Sequence, residues 1–299
     1  MSFNEGASLD TSQVTGGGRG RGGAVIGGGA GGIILLILGL IFGPNLTGGT
    51  SNPFDTGQVL GGGEESSATF DQCKTGADAN RDDVCRIIGT VNSVQDYWTD
   101  ALPADVKRQY QEAKTVIFSG QTQSACGTAS GATGPFYCPS DQRIYIDASF
   151  FDELTSKFGA DDGALAQEYV VAHEYGHHVE NILGFLAKGQ DGKSGPLSGG
   201  VRIELMADCM AGVWANHAAN TKDDNGVTLL KPLTKEDIKS ALSAAAAVGD
   251  DHIQGTLGGG NVNQETWTHG SSESRQKWFL TGYESGNVNQ CDTFSTNDL

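Results

Sequence analysis

Basic residues are scarce in this chain: 19 Lys and Arg stand against 36 Asp and Glu, for a formal charge of -17. Phosphate binding needs clustered Lys and Arg, so this balance argues against nucleic acid as the main partner. The acidity suits a soluble, self-repelling surface instead. No Cys-x-x-Cys pair occurs, which disfavours a zinc ribbon or a thioredoxin-type site. No stretch repeats internally. Charged residues make up only 18% against 37% hydrophobic ones, enough apolar material for a packed core and too much for global disorder. The 299 residues suit one large domain or two modest ones.

Glycine is in excess. There are 45, about twice the usual ~7% share, and they concentrate before residue 64. From Ala24 to Gly43 the chain reads AVIGGGAGGIILLILGLIFG, without a charge. At about 1.5 Å per residue this run reaches about 30 Å, the thickness of a hydrocarbon core. Gly-rich helices are poor in water but tolerated in lipid, where backbone groups must pair internally. Arg19 and Arg21 precede it, whereas Asp55, Glu64 and Glu65 come before the first basic residue after it, Lys74. The positive-inside rule then places the N-terminus in the cytoplasm and the rest outside. The long polar start and the lack of an A-x-A-like cleavage site favour an uncleaved anchor. The expected organisation is a cytoplasmic polar tail at 1–23, a transmembrane helix at 24–43, a flexible Gly/Ser/Thr linker at 44–69 and an extracytoplasmic domain at 70–299. The expected location is the cell membrane, single-pass.

The six cysteines are even in number. Cys73 and Cys85, like Cys126 and Cys138, are close enough in sequence to close two small loops, each stabilising by roughly 3 kcal/mol. Cys209 and Cys291 would form the remaining pair, tying a helix to the C-terminus. Proximity suggests this pairing among the fifteen that six cysteines allow, and an oxidising location outside the cytoplasm suits it. Val84 to Leu102 carries Val84, Ile87, Ile88, Val91, Val94 and Trp98 on one helical stripe, after which Pro103 opens another turn. Thr115–Phe118 and Arg143–Asp147 read as β-strands separated by a Gly-rich loop that holds Cys126 and Cys138, a strand pair with a stapled connection. Four helical stretches follow, at Gly163–Leu183, Val201–Ala219, Thr234–Val248 and Ser272–Gly282. Few strands followed by many helices predict an α+β fold.

The first of these helices contains Ala172-His173-Glu174-Tyr175-Gly176-His177-His178. His173 and His177 are four apart, so they project from one face. Two imidazole nitrogens at that spacing can hold one Zn²⁺ at about 2.0–2.1 Å. Glu174, about 100° around the helix, can reach a metal-bound water as general base, the arrangement of a zinc peptidase. A catalytic zinc needs a third protein ligand and an open position. Glu204 and Asp208 share a face of the second helix, and they fit as ligand and as acceptor for a ligating histidine's free N–H, His173 before His177. His178 points off the ligand face, while His217 and His252 read as structural or exposed. His269, in a loop before the last helix, is the first candidate donor to the oxyanion of a tetrahedral intermediate, with Tyr283 and Arg275 behind it. Arg143–Asp147 is the candidate edge strand for holding an extended substrate.

With these residues in place, the chain resembles the neutral zinc metallopeptidases, a family of bacterial membrane-anchored proteins. The matching stretches are the apolar anchor, Cys138-Pro139 with RIYID, AHEYGHH, ELMADCMAGVW, AVGDD at Ala247–Asp251, THGSSESRQKWF at Thr268–Phe279 and Cys291-Asp292-Thr293-Phe294. Beyond the anchor they span roughly residues 70–294. The Glu-x-x-x-Asp element is similar to that of thermolysin-type gluzincins. The resemblance implies a gluzincin-like domain in which His173, His177 and Glu204 bind zinc, Glu174 is the catalytic base and Asp208 supports a ligand. The comparison with thermolysin further implies a histidine donor near the oxyanion. The expected activity is a membrane-anchored zinc endopeptidase acting on peptide or protein substrates. The alternative is a non-catalytic surface module, stabilised by a zinc ion enclosed in protein ligands, that binds a partner.

Overall fold

The computed structural model describes residues 2–17, 65–66, 69–256 and 260–299. The expected transmembrane segment at 24–43 and nearly all of the linker lie outside the described residues. Among the described residues no helix is long and apolar enough to cross a membrane.

Among the described residues seven short strands occur: β1 (Val14–Gly17), β2 (Glu65–Ser66), β3 (Lys114–Phe118), β4 (Gln121–Ser124), β5 (Gly127–Ser130), β6 (Phe136–Cys138) and β7 (Arg143–Asp147). Five form a mixed sheet in the order β2-β1-β3-β7-β6, and β4 and β5 make a separate hairpin. Strands β1, β3 and β7 run parallel, Thr115 facing Ile144 and Val116 facing Tyr145 across the centre. Strand β6 pairs antiparallel with β7, Tyr137 opposite Ile144. Ile117, Ile144 and Ile146 point to the main core, whereas Val116, Phe118 and Tyr145 on the other face pack with Phe136 and Ala129. Arg143–Asp147 is therefore not the expected edge strand: it is hydrogen-bonded on both sides and buried on both faces. Among the described residues the end strands of this sheet are β2 and β6.

The remaining elements are helical: α1 (Gly76–Ala79), α2 (Asp83–Asp105), α3 (Phe150–Ser156), α4 (Ala164–Leu183), α5 (Leu186–Gly189), α6 (Gly199–His217), α7 (Lys235–Ala247), α8 (Asp250–Thr256) and α9 (Ser272–Ser285). The fold is α+β, as the sequence predicts. Helix α2 starts where the Asp82 side chain accepts the Cys85 N–H, and its stripe of Ile87, Ile88, Val91, Val94 and Trp98 is buried. Pro103 opens no separate turn. It sits in the last turn of α2, where the helix ends within two residues. Helices α4, α6 and α9 pack at backbone distance. A Cβ on Gly176 would fall 2.9 Å from the Ala207 Cα, and one on Gly282 only 1.9 Å from the Cys209 carbonyl oxygen. The Cys209–Cys291 disulfide ties α6 to the C-terminal segment, and Cys73–Cys85 and Cys126–Cys138 close the two short loops, as expected.

The N-terminal residues depart from expectation. Residues 2–17 are no separate tail: Phe3, Ala7, Leu9 and Val14 are buried in the same core as Trp98, Leu230 and Ile117. Burying a side chain as large as Phe or Leu contributes roughly 1.5–3 kcal/mol, and strand pairing adds to that. The signal was weak in sequence because these four apolar residues follow neither a helical nor a strand period.

Candidate metal centre

Helix α4 is buried along most of its length, so its histidines need partners to offset their desolvation. His173 and His177 project toward α6, and Glu204 meets them from that helix. The His173 Nε2 lies 3.3 Å from Glu204 Oε2, and His177 Nε2 lies 3.7 Å from Oε1. One donor atom from each of the three residues falls within 4.8 Å of the others.

Each imidazole is oriented by a carboxylate on its other nitrogen. Asp208 Oδ1 pairs with His173 Nδ1 at 2.8 Å, and it also accepts the Tyr169 hydroxyl. Arg275 donates to both Asp208 oxygens, at 2.8 and 2.9 Å. Glu180 Oε2 pairs with His177 Nδ1 at 2.8 Å. Such partners fix the ring and leave Nε2 for a metal. Glu180 was not anticipated. Its place at i+3 from His177 is visible in sequence, but its complete burial is not.

The electrostatics favour a cation here. Glu174, Glu180, Glu204 and Asp208 are all buried here, with Arg275 paired to Asp208 and 3.8 Å from Glu204. Burial pushes Glu174 up to about 7, with the Glu204 charge adding to the rise. Glu180 is driven well above the carboxylate range by burial and by Glu204, Asp208 and Glu174. Burial disfavours a proton on His173, yet Asp208 outweighs it and holds that imidazole at about 9. Burial leaves His177 at about 3, the neutral form a metal requires. Glu204 Oε1 and Glu174 Oε2 are buried without a hydrogen-bond partner. A divalent ion among two imidazoles and a carboxylate would satisfy this donor set, and the set fits zinc.

His269 is also buried beside the centre, where its charge and that of Glu204 act on each other. Its loop is shaped by Asp250, whose Oδ2 accepts the backbone N–H groups of Thr268, His269 and Gly270 at 2.7, 2.6 and 2.9 Å. Gly270 has φ +90, a conformation that favours glycine. Asp250 Oδ1 lies 3.5 Å from His269 Nδ1. Burial works against the imidazolium, but Glu204 and Asp250 outweigh it and raise the pKa of His269. The sequence showed Asp250 only as part of AVGDD; its role depends on a loop eighteen residues away.

Other candidates go elsewhere. Arg275 is committed to Asp208, so it supports His173 instead of serving as a spare donor. Tyr283 stacks on Phe279 with ring centroids 6.4 Å apart. His178 is neither exposed nor turned to the centre: its ring meets the Tyr137 hydroxyl at 3.1 Å and the Gln111 carbonyl at 2.6 Å. His217 and His252 hold the carbonyls of Gly286 and Phe158, structural roles as expected.

The family described as "Putative neutral zinc metallopeptidase" matches residues 4–294. The chain belongs to this family. It is 48% identical over 305 residues, covering all of both chains, to the uncharacterized protein Rv2575 of Mycobacterium tuberculosis. It is 35% identical over 281 residues, 92% of this chain and 87% of the relative, to the uncharacterized protein YpfJ of Escherichia coli K12. No solved structure matches the chain. The metallopeptidase family match begins at residue 4, so it takes in the packed N-terminal segment as well as the metal centre.

Proposed function

We propose that this protein is a zinc-dependent endopeptidase in which His173, His177 and Glu204 hold the metal and Glu174 is the base. The observation that carries this reading is the convergence of those three donors within 4.8 Å beside a buried Glu174 whose Oε2 has no partner. Zinc in such a site supplies Lewis acidity, polarising a scissile carbonyl and lowering the pKa of water. Glu174 takes the water proton and delivers it to the leaving amine. His269, kept in place by Asp250, donates to the developing oxyanion. The backbone N–H of Tyr137 on β6 is directed at Glu174, so the buried end strand of the sheet runs beside the base.

A structural zinc module would need a fourth protein ligand. Among the described residues no further His, Cys, Asp or Glu joins the group, and such a site has no use for Glu174. Localisation forms part of the same proposal. Three disulfides support a domain outside the cytoplasm, held at a membrane by the apolar run at 24–43. Purified protein should contain one zinc per chain and cleave an unstructured protein such as casein, lose cleavage on chelation and regain it with zinc. Cleavage that survives complete removal of metal would overturn the reading.

A further inference from the structure

Residues 2–17 are held by side chains far away in sequence. Phe3 and Asn80 exchange two hydrogen bonds, Phe3 N–H to Asn80 Oδ1 at 2.8 Å and Asn80 Nδ2 to the Phe3 carbonyl at 3.0 Å. Asn92 grips Asp10 in the same way, with both bonds at 2.9 Å. Asn4 Nδ2 donates to the Thr228 carbonyl at 2.7 Å. Helix glycines make the room: a Cβ on Gly89 would lie 2.5 Å from the Phe3 ring, and one on Gly76 2.0 Å from the Asn4 carbonyl oxygen. The segment then enters the sheet as β1, parallel to β3.

The chain flanking residues 18–64 is closed at its base. Gly16 pairs with Ser66 and Gly17 with Glu65, so that stretch leaves and returns at neighbouring positions of one sheet edge. A single crossing at 24–43 would carry residues 2–17 to the opposite side from the domain that encloses them. A second crossing to bring the chain back needs another ~20 apolar residues, and positions 44–64 contain Pro44, Pro53, Asp55 and Glu64 with no such run. We infer that the amino terminus lies on the same side of the membrane as the disulfide-bonded domain. The single-pass arrangement with a cytoplasmic N-terminus is thereby replaced. This inference is independent of the peptidase reading, since it uses neither the metal centre nor Glu174.

Ser8 and Thr75 face each other as an antiparallel bridge, and Ser8 is exposed. The full chain carrying Ser8→Cys with Thr75→Cys is expressed in a bacterial envelope and digested without reduction for mass spectrometry. A disulfide joining positions 8 and 75 within one chain is expected. In parallel, the Ser8→Cys chain is treated in spheroplasts with a membrane-impermeant maleimide and with a permeant one. Equal labelling by both reagents is expected. A thiol at position 8 that reacts only with the permeant reagent overturns the inference, and this second arm decides even where the double variant fails to fold.

Discussion

The two histidines of the metal centre sit one turn apart on α4, yet they are held very differently. His173 rests on Asp208, whose charge is answered by both arms of Arg275 and by the Tyr169 hydroxyl. His177 rests on Glu180, whose other oxygen is buried without a hydrogen-bond partner. The difference shows in the charge state each acid prefers. Burial would raise Asp208, but Arg275 and His173 keep it below the ordinary range, whereas nothing comparable offsets the rise at Glu180. One side of the centre is a network whose parts depend on one another. The other is a single pair within one helix, so the two sides should fail by different amounts.

The largest effect is expected from Arg275→Met, which strands Asp208 as a buried charge. Losing one partner of a buried pair costs about 3–5 kcal/mol, and urea unfolding should record it. Asp208→Ala comes next. It frees His173 Nδ1 and should weaken zinc about 10–100-fold in competition with a chelator. Asp250→Asn tests a third supported histidine, His269. With the charge gone from the acceptor of three N–H groups, hydrolysis should fall about tenfold or more while zinc affinity stays unchanged. Glu180→Gln should have the smallest effect, below about tenfold on zinc affinity, because the amide oxygen still accepts from His177. If Glu180→Gln weakens zinc as much as Asp208→Ala, the contrast between the two sides is wrong.

The sequence displayed those parts of the centre that follow from helix geometry. His173, Glu174 and His177 fall on a known face at known spacing, and Glu204 with Asp208 repeats that logic on α6. Glu180 lay in plain view three residues beyond His177, but a Glu at that spacing is ordinarily a solvated helix residue, and its burial arises from packing against α6. Asp250 escaped because its three N–H partners come from another loop. Among the fold elements, α2 was legible from periodicity, the four long helices after it as helical stretches, and the cysteine pairs from proximity. Strand β6 has only three residues, too few for a period to register, so β7 was mistaken for the edge. Segment 2–17 was hidden because its place is set by room at Gly76 and Gly89 and by three asparagines, features that carry no pattern along the chain.

In the proposed enzyme Glu174 does chemistry on water and does not hold the metal. Glu174→Gln removes the base while leaving His173, His177 and Glu204 in place. Wild-type and variant protein should be compared for zinc content and casein hydrolysis in the same preparation. Equal zinc in both and cleavage in the wild type alone are expected. A Glu174→Gln protein that retains zinc and cleaves at the wild-type rate would contradict that role.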